Sequence, residues 1–329
     1  MDPRSAHAWQ SMYPPLACHD SGWLAVGDGH RVYWETSGNP LGLPALFVHG
    51  GPGAGCSADD RRWFNPQRHR IVLFDQRGAG RSLPLGAIGA NRSAHLIADM
   101  EALREHLRIG QWLLMGGSWG ATLALAYAQQ HPQRVRALVL RGVFTATLRE
   151  QRWLYSPDGA ARSHQPAWLR LHDALAQPGQ ATAIDAPAQR WLAALAAQLD
   201  APDPDRALRA ASAWLQWERA LMEPATPACG APEAGALAAA RIGVHYARNA
   251  YFLPERALLR NAQRMAHIPG AIVHGEADRV TPVAAAIALH AAWPGSSLQR
   301  IAQAGHASSH PEMARALIAA VDTLGAGPI

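Results

Sequence analysis

A serine set among glycines, Gly116-Gly117-Ser118-Trp119-Gly120, is the first place in this chain where residue types and spacing point to covalent chemistry. The G-x-S-x-G pattern lies between an apolar run, "WLLM", and an alanine-rich run, "TLALAYA", so it reads as strand, sharp turn, helix. In that setting the serine adopts a strained backbone and its Oγ stands clear of the sheet. Gly116 and Gly120 let the strand and helix cross closely. A plain glycine turn is the simpler alternative, and the flanking strand and helix favour the nucleophile elbow over it.

A hydroxyl is a weak nucleophile without a base, and the base needs an orienting acid. The partners expected on this architecture follow in the order serine, acid, histidine. Asp278 follows the strand-like "AIVHGE", and His306 follows "SLQRIAQAG". Both then fall on the sheet edge that carries Ser118, where ligands bind in open α/β sheets. Glu276 is the competing acid and His310 the competing base, and position after the strand favours Asp278 and His306. An oxyanion hole completes such a site, each backbone donor being worth about 3–4 kcal/mol. The Trp119 N–H is one expected donor, and Gly51, in the loop "HGGPGAG" after "ALFV", supplies the other.

The same glycines do not make a nucleotide site. Gly51, Gly53 and Gly55 do not fit G-x-G-x-x-G, and a chain without lysine has no phosphate-loop lysine. No cofactor is expected. A further strand-end loop, "DQRGAGRS" (Asp75 to Ser82), carries an aspartate and arginines expected to pair and brace the site.

The elements that must position these groups are legible as short apolar runs. "LPALFV", "RIVLF", "QWLLM" and "VRALVLR" are continuous apolar runs, as in strands buried on both faces, with "GAIVHG" and "SSLQRI" as two more near the end. "RVYWETSG" alternates, as an edge or hairpin strand does. Helical stretches lie between them, so the expected fold is a mostly parallel, doubly wound α/β sheet. From about Phe144 to Pro254 the strand signal gives way to Ala, Leu, Trp and Gln at helical spacing. The expected organisation is a core of residues 1–145 and 255–329 with a helical cap at 146–254.

Composition narrows the function further. The chain of 329 residues has a net charge of +5, and its thirty lysine-plus-arginine residues are all arginines, scattered rather than gathered in runs, which argues against a nucleic-acid footprint. No apolar run reaches the roughly 18 residues that span a membrane, and the first residues lack the apolar core of a signal peptide. Cys18, Cys56 and Cys229 are too few and too isolated for a disulfide framework or a metal site. Cytoplasm is the expected compartment. Aromatic and apolar cap residues could serve an interface between copies as easily as a pocket.

Together these residues resemble the proline iminopeptidases (prolyl aminopeptidases), serine peptidases of the α/β-hydrolase fold. The resemblance runs from "YPP" and "VGDGHRVYWETSGNP" through "HGGPGAG", "DQRGAGRS", "GGSWGATLALAYAQQHP" and "LRGVF" to "AGHA". Through the cap it rests on "WLQWERALM" and "ALAAARIGVHY". It implies release of an N-terminal proline from peptides, with Ser118, Asp278 and His306 catalytic. Acidic cap residues would hold the substrate amine, and the Trp-x-x-Trp-Glu pattern places one at Glu218. Phe144 resembles the residue lining the proline pocket, with Arg141 close by and Tyr246 a further binding residue.

The chain departs from this pattern at one informative position. Where relatives carry a second amine-binding glutamate before His-Tyr, this sequence has Gly243. Losing a hydrogen bond to a charged group costs about 1.5–3 kcal/mol, or about 10- to 100-fold in affinity. The acid loop also differs, with Glu276, Arg279 and Thr281 where Arg, Val and Cys are common, and Glu276 is a conceivable substitute carboxylate. The leading expectation is an N-terminal exopeptidase acting on peptides. An esterase or amidase with little need of a free amine comes second, and a non-catalytic binding protein third.

Overall fold

The computed structural model describes residues 11–175, 188–222 and 233–326. The first ten residues, Cys229 and most of the proline-rich break around it lie outside the described residues.

Eight strands form one sheet: β1 (Cys18–Ala25), β2 (Arg31–Gly38), β3 (Leu43–Val48), β4 (His69–Phe74), β5 (Trp112–Gly117), β6 (Val135–Arg141), β7 (Gly270–Gly275) and β8 (Ser296–Ile301). Their spatial order is β1-β2-β4-β3-β5-β6-β7-β8. β1 and β2 pair antiparallel, as do β2 and β4, and every later pair is parallel. The alternating segment read as an edge or hairpin strand is β2, and it is covered by β1, whose mostly exposed residues carry no apolar alternation.

Side-chain alternation splits the sheet into two faces. Leu46, Val48, Val72, Phe74, Leu114, Leu138 and Leu140 belong to one apolar cluster. Ala45, Ile71, Leu73, Leu113, Met115, Ala137 and Val139 belong to the other. Helices cover both faces, so these strands need apolar residues at every position, which is why they read as continuous runs.

The helices are α1 (Ser93–His106), α2 (Trp119–Gln130), α3 (Leu148–Tyr155), α4 (Gln165–Leu175), α5 (Ala188–Leu199), α6 (Pro204–Leu221), α7 (Glu233–Arg248), α8 (Ala257–Arg260), α9 (Ala284–Ala292) and α10 (Pro311–Leu324). α2 is buried at every position from Trp119 to Gln129, as expected of a helix hydrophobic all round. Between β6 and β7 all the described elements are helical. Rings of this region stack on one another, with Tyr155 5.1 Å from Trp214 and Trp168 5.3 Å from Trp191. α7 reaches the loops at the carboxyl ends of β3 and β4: a Cβ on Gly53 would lie 3.1 Å from Ile242 Cβ, and one on Gly78 3.2 Å from Ile242 Cδ1.

Candidate active site

Ser118 sits between β5 and α2 with φ 57° and ψ −124°, a left-handed conformation that costs a non-glycine residue about 1–3 kcal/mol. The turn survives because its surroundings leave no alternative. A Cβ on Gly116 would collide with the Gly120 carbonyl, and one on Gly120 with the Val48 carbonyl. Strand and helix therefore cross at backbone contact, and the Ser118 N–H donates to the Arg141 carbonyl at 3.0 Å. The residue remains partly exposed although its neighbours Met115, Gly116, Trp119 and Gly120 are buried.

Asp278 and His306 come together at the carboxyl ends of β7 and β8. Asp278 Oδ2 lies 2.7 Å from His306 Nδ1, and both residues are buried. Asp278 Oδ1 accepts the N–H groups of Val280 and Thr281 at 2.9 and 2.8 Å, and Oδ2 accepts the Thr281 hydroxyl at 3.0 Å. Burial alone would raise this carboxyl, but the His306 charge and hydrogen bond, His274 and the Thr281 N–H outweigh it and hold it at about 2. With Nδ1–H given to the carboxylate, Nε2 is left as the basic nitrogen. A Cβ on Gly142 would lie 2.8 Å from His306 Cε1, so the ring rests on the residue that follows Arg141. Glu276, by contrast, is exposed and 3.5 Å from Arg300, and His310 caps α10.

The two backbone segments expected to supply donors are held from beneath. Gly50 is packed on the elbow, where a Cβ would lie 3.2 Å from the Gly117 carbonyl and 3.7 Å from Ser118 Cβ. Trp119, as the first residue of α2, has an N–H with no partner inside its helix. Gln76, which the sequence reading did not single out, joins the two segments. Its Oε1 accepts the Trp119 indole N–H at 2.8 Å, and its Nε2 donates to the His49 carbonyl at 2.9 Å. Its own N–H donates to His49 Nε2 at 2.9 Å, and His49 Nδ1–H donates to the Gly50 carbonyl at 2.9 Å. In the same loop Asp75 pairs with Arg81 at 2.7 Å, while Arg77 instead grips Asp99 at 2.7 Å.

A second buried histidine, also unanticipated, lies under the acid. His274 Nε2–H donates to the Thr281 carbonyl at 2.7 Å, and Nδ1 accepts the Val143 N–H at 3.1 Å. Burial lowers its pKa, and its two hydrogen bonds brace the loops that carry Asp278 and Phe144.

An aromatic corner adjoins the elbow. Tyr251 stacks on Trp119 at 5.8 Å and meets the edge of Phe144 at 4.8 Å. Residues Ala250, Tyr251 and Phe252 all have φ near 50°, and this left-handed turn delivers the Tyr251 ring to the corner. Glu218, on α6, faces the same place: its charge bears on both Tyr155 and Tyr251. Partial burial lifts the half-buried Glu218 carboxyl to about 7, and no cation among the described residues offsets it. Gly243, on α7, presents its Cα toward Trp214 Nε1 and the Pro52 carbonyl, where a Cβ would make ordinary contacts at 3.5 and 3.7 Å.

Two residues expected to bind substrate are placed elsewhere. Tyr246 is fully buried 4.8 Å from the Trp119 ring, and its hydroxyl is used by Asn91 Oδ1 at 2.9 Å. Arg141 follows Ala137 and Val139 in the β6 alternation and so faces the α10 side of the sheet, away from the helices between β6 and β7. Its Nη1 donates to the His306 carbonyl. A separate groove of about 870 Å³ runs along Thr145, Trp153, Asp278 and Arg279, and Ser118 is not part of its wall. No cluster of three metal-ligating side chains occurs among the described residues, and no helix among them is long and apolar enough to cross a membrane.

Residues 44–312 match the family model described as alpha/beta hydrolase fold. A proline iminopeptidase of Xylella fastidiosa is 44% identical over 95% of this chain and 99% of its own length. One of Neisseria gonorrhoeae is 42% identical over 95% and 98%, and one of Arabidopsis thaliana 40% identical over 99% and 86%. Among solved structures, an esterase from a Rhodococcus species superposes with TM-score 0.60 at 20% identity, covering 94% of this chain and 99% of its own. A proline iminopeptidase-related protein from Thermus thermophilus superposes with TM-score 0.56 at 22% identity, covering 93% and 99%. At these identities the two structures speak to the fold alone.

Proposed function

The chain belongs to the proline iminopeptidases, enzymes of the α/β-hydrolase fold, and from that premise we propose that it is a serine exopeptidase releasing an N-terminal residue, preferably proline. Ser118 Oγ attacks the carbonyl carbon of the first residue, and His306 Nε2 takes the hydroxyl proton. Asp278 holds the imidazole in the required tautomer and stabilises the imidazolium that forms. The N–H groups of Gly51 and Trp119 hold the oxyanion. His306 returns the proton to the leaving amine, and water then releases the acyl group by the same steps in reverse. Phe144, with Tyr251 and the Trp119 ring, forms the apolar seat for a proline ring. Residues 146–254 act as the cap that restricts the seat to a chain end.

The observation that carries this reading is Glu218. A carboxyl with no cation beside it among the described residues, its charge bearing on the aromatic corner next to the elbow, suits the ammonium of a free N-terminus, a secondary ammonium in the case of proline. A charge-assisted hydrogen bond there is worth about 1.5–3 kcal/mol. The free thiols of Cys18 and Cys56 fit a reducing, cytoplasmic setting. The test is a panel of prolyl and alanyl amides, N-blocked prolyl amide and short-chain esters. Preferred turnover of the free prolyl amide is expected. Equal turnover of free and blocked amides, or of esters alone, would overturn the exopeptidase reading. Gly243 favours that second reading, an esterase or amidase, because it presents no second carboxylate beside Trp214.

A further inference from the structure

We propose that Arg141 is a positioning residue that fixes the spacing of nucleophile and base, holding the Ser118 backbone with its carbonyl and the His306 backbone with its guanidinium. The inference rests on the serine-hydrolase reading above and concerns how its two reacting residues are kept in register.

The topology creates the need. Ser118 follows β5 in the middle of the sheet, whereas His306 follows β8, the edge strand, with β6 and β7 between them. The base must therefore reach back across two strands on a loop, and the loop's own anchors lie on β8 and the acid loop. Glu276 N–H bonds the Ile301 carbonyl at 3.0 Å and Ala277 N–H the Ala304 carbonyl at 2.9 Å. Neither ties His306 to the elbow. A misplacement of about 1 Å between reacting groups costs about 100-fold in rate, so some contact has to span the gap.

Arg141 ends β6 directly opposite Gly117 in the parallel register. Its carbonyl accepts the Ser118 N–H at 3.0 Å, and its Nη1 donates to the His306 carbonyl. One residue thus touches the main chain of both partners. The guanidinium lies flat against the elbow: a Cβ at Gly117 would stand 2.5 Å from Nη2 and 2.8 Å from Nε. This gives the middle glycine of "GGS" a reason of its own, since any side chain there would push the fork off His306.

An ion-pair role does not account for this arginine. Asp278 and Asp60 are the carboxylates whose charges bear on it, and neither pairs with it among the described residues. Asp278 is engaged by His306 and Thr281, and Asp60 accepts from the Ser57 N–H and hydroxyl at 2.7 and 3.1 Å. A substrate role does not account for it either, because the side chain lies across the elbow from Phe144 and Glu218.

The guanidinium adjoins a cavity of about 160 Å³, walled in part by Gly50, Asp60, Trp63, Gly117 and Ser308. A smaller space of about 90 Å³ shares Asp60, Trp63 and Ser308 and continues toward Asp59 and Ser309. A truncated Arg141 would leave room there for a guanidinium ion from solution, which supplies the test.

Wild type, Ser118→Ala, Arg141→Ala and Arg141→Lys are compared by rate of labelling with a fluorophosphonate and by steady-state kinetics on prolyl amide. Wild type is expected to label and Ser118→Ala not to. A wild type that takes no label overturns the serine-hydrolase reading and the clamp with it. Arg141→Ala is expected to label and turn over about 100-fold more slowly, with KM within about threefold of wild type. Millimolar methylguanidinium should restore on the order of tenfold of the loss, and sodium at equal ionic strength none. If alanine does not fold, Arg141→Lys carries the test, with lower kcat expected at unchanged KM. An unchanged kcat, a raised KM alone, or a loss in a folded alanine variant that methylguanidinium leaves untouched overturns the proposal.

Discussion

Protonation competes with substrate at Glu218, because burial holds the free carboxyl at about 7 and an ammonium binds only the ionised form. The KM for free-amine substrates should therefore rise about tenfold per unit as pH falls below about 7, and rise again above about 8 as the substrate's own ammonium loses its proton. Blocked amides and esters should show no acid limb, and Glu218→Gln should abolish it while raising the free-amine KM about 10- to 100-fold. Stability follows the opposite course. The folded carboxyl titrates above its unfolded value of about 4.3, so the unfolded chain ionises first and stability falls as pH rises through that window. Melting curves of Glu218→Gln should lose that component of the slope. Gly243 offers the converse change: the space beside it admits a Cβ, so Gly243→Glu should lower the free-amine KM about tenfold, with kcat little changed. A KM that stays put would separate this chain's amine recognition from the two-carboxylate arrangement. Ser118→Ala, assayed on any of these substrates, should lose about a thousandfold or more in kcat.

Strands and loops explain both what could be read in advance and what could not. Seven strands were legible, six as apolar runs and β2 by its alternation, the central ones because both of their faces are covered, whereas β1 escaped because its exposed residues carry no alternation. The elbow at Ser118 and the meeting of Asp278 with His306 were legible because a glycine-flanked turn and strand ends leave local marks. Arg141 was grouped with Phe144 on nearness in sequence, which does not give direction. Strand alternation sets it with Ala137 and Val139, opposite Leu138 and Leu140. Gln76 and His274 were missed for a different reason: each bonds a group far away in the chain, Trp119 and Val143, so no local pattern marks them. Gln76 makes a sharp test of loop positioning. It accepts from a group that only donates, the Trp119 indole, and donates to one that only accepts, the His49 carbonyl. Gln76→Glu keeps the shape but sets a carboxylate oxygen against that carbonyl. Expected are a loss of about 10- to 100-fold in kcat with KM little changed, and a matching loss of affinity for a tetrahedral boronate but not for free proline. Equal binding of the boronate to both proteins would show that the loop does not depend on Gln76.

At the scale of the molecule, the described helices between β6 and β7 share one apolar core with a face of the sheet. Trp214, Trp217, Tyr246 and Tyr251 belong to the same buried cluster as Leu114, Trp119 and Leu138. Polar contacts then fix how the two regions register, and they converge on Asn91. Its Nδ2 donates to the carbonyls of Arg77 and Ala87 at 3.0 and 2.9 Å. Its Oδ1 accepts the Tyr246 hydroxyl and its backbone carbonyl accepts His245 Nε2–H, both at 2.9 Å. The strand-end loop after β4 thereby grips α7, while Ser93 Oγ bonds the Tyr251 carbonyl at 2.5 Å just beyond it. Removing the Tyr246 hydroxyl leaves a buried Asn91 oxygen short of a partner, which costs about 1–3 kcal/mol. Tyr246→Phe should accordingly lower Tm by about 2–6 °C, read by calorimetry, and leave KM for prolyl amide within about twofold. The alternative role, contact with substrate, makes the opposite forecast: an unchanged Tm and a raised KM. The two readouts decide whether the tyrosine of the His-Tyr pair serves the pocket or joins the helices to the sheet, and the hydroxyl's bond to Asn91 places it with the joint.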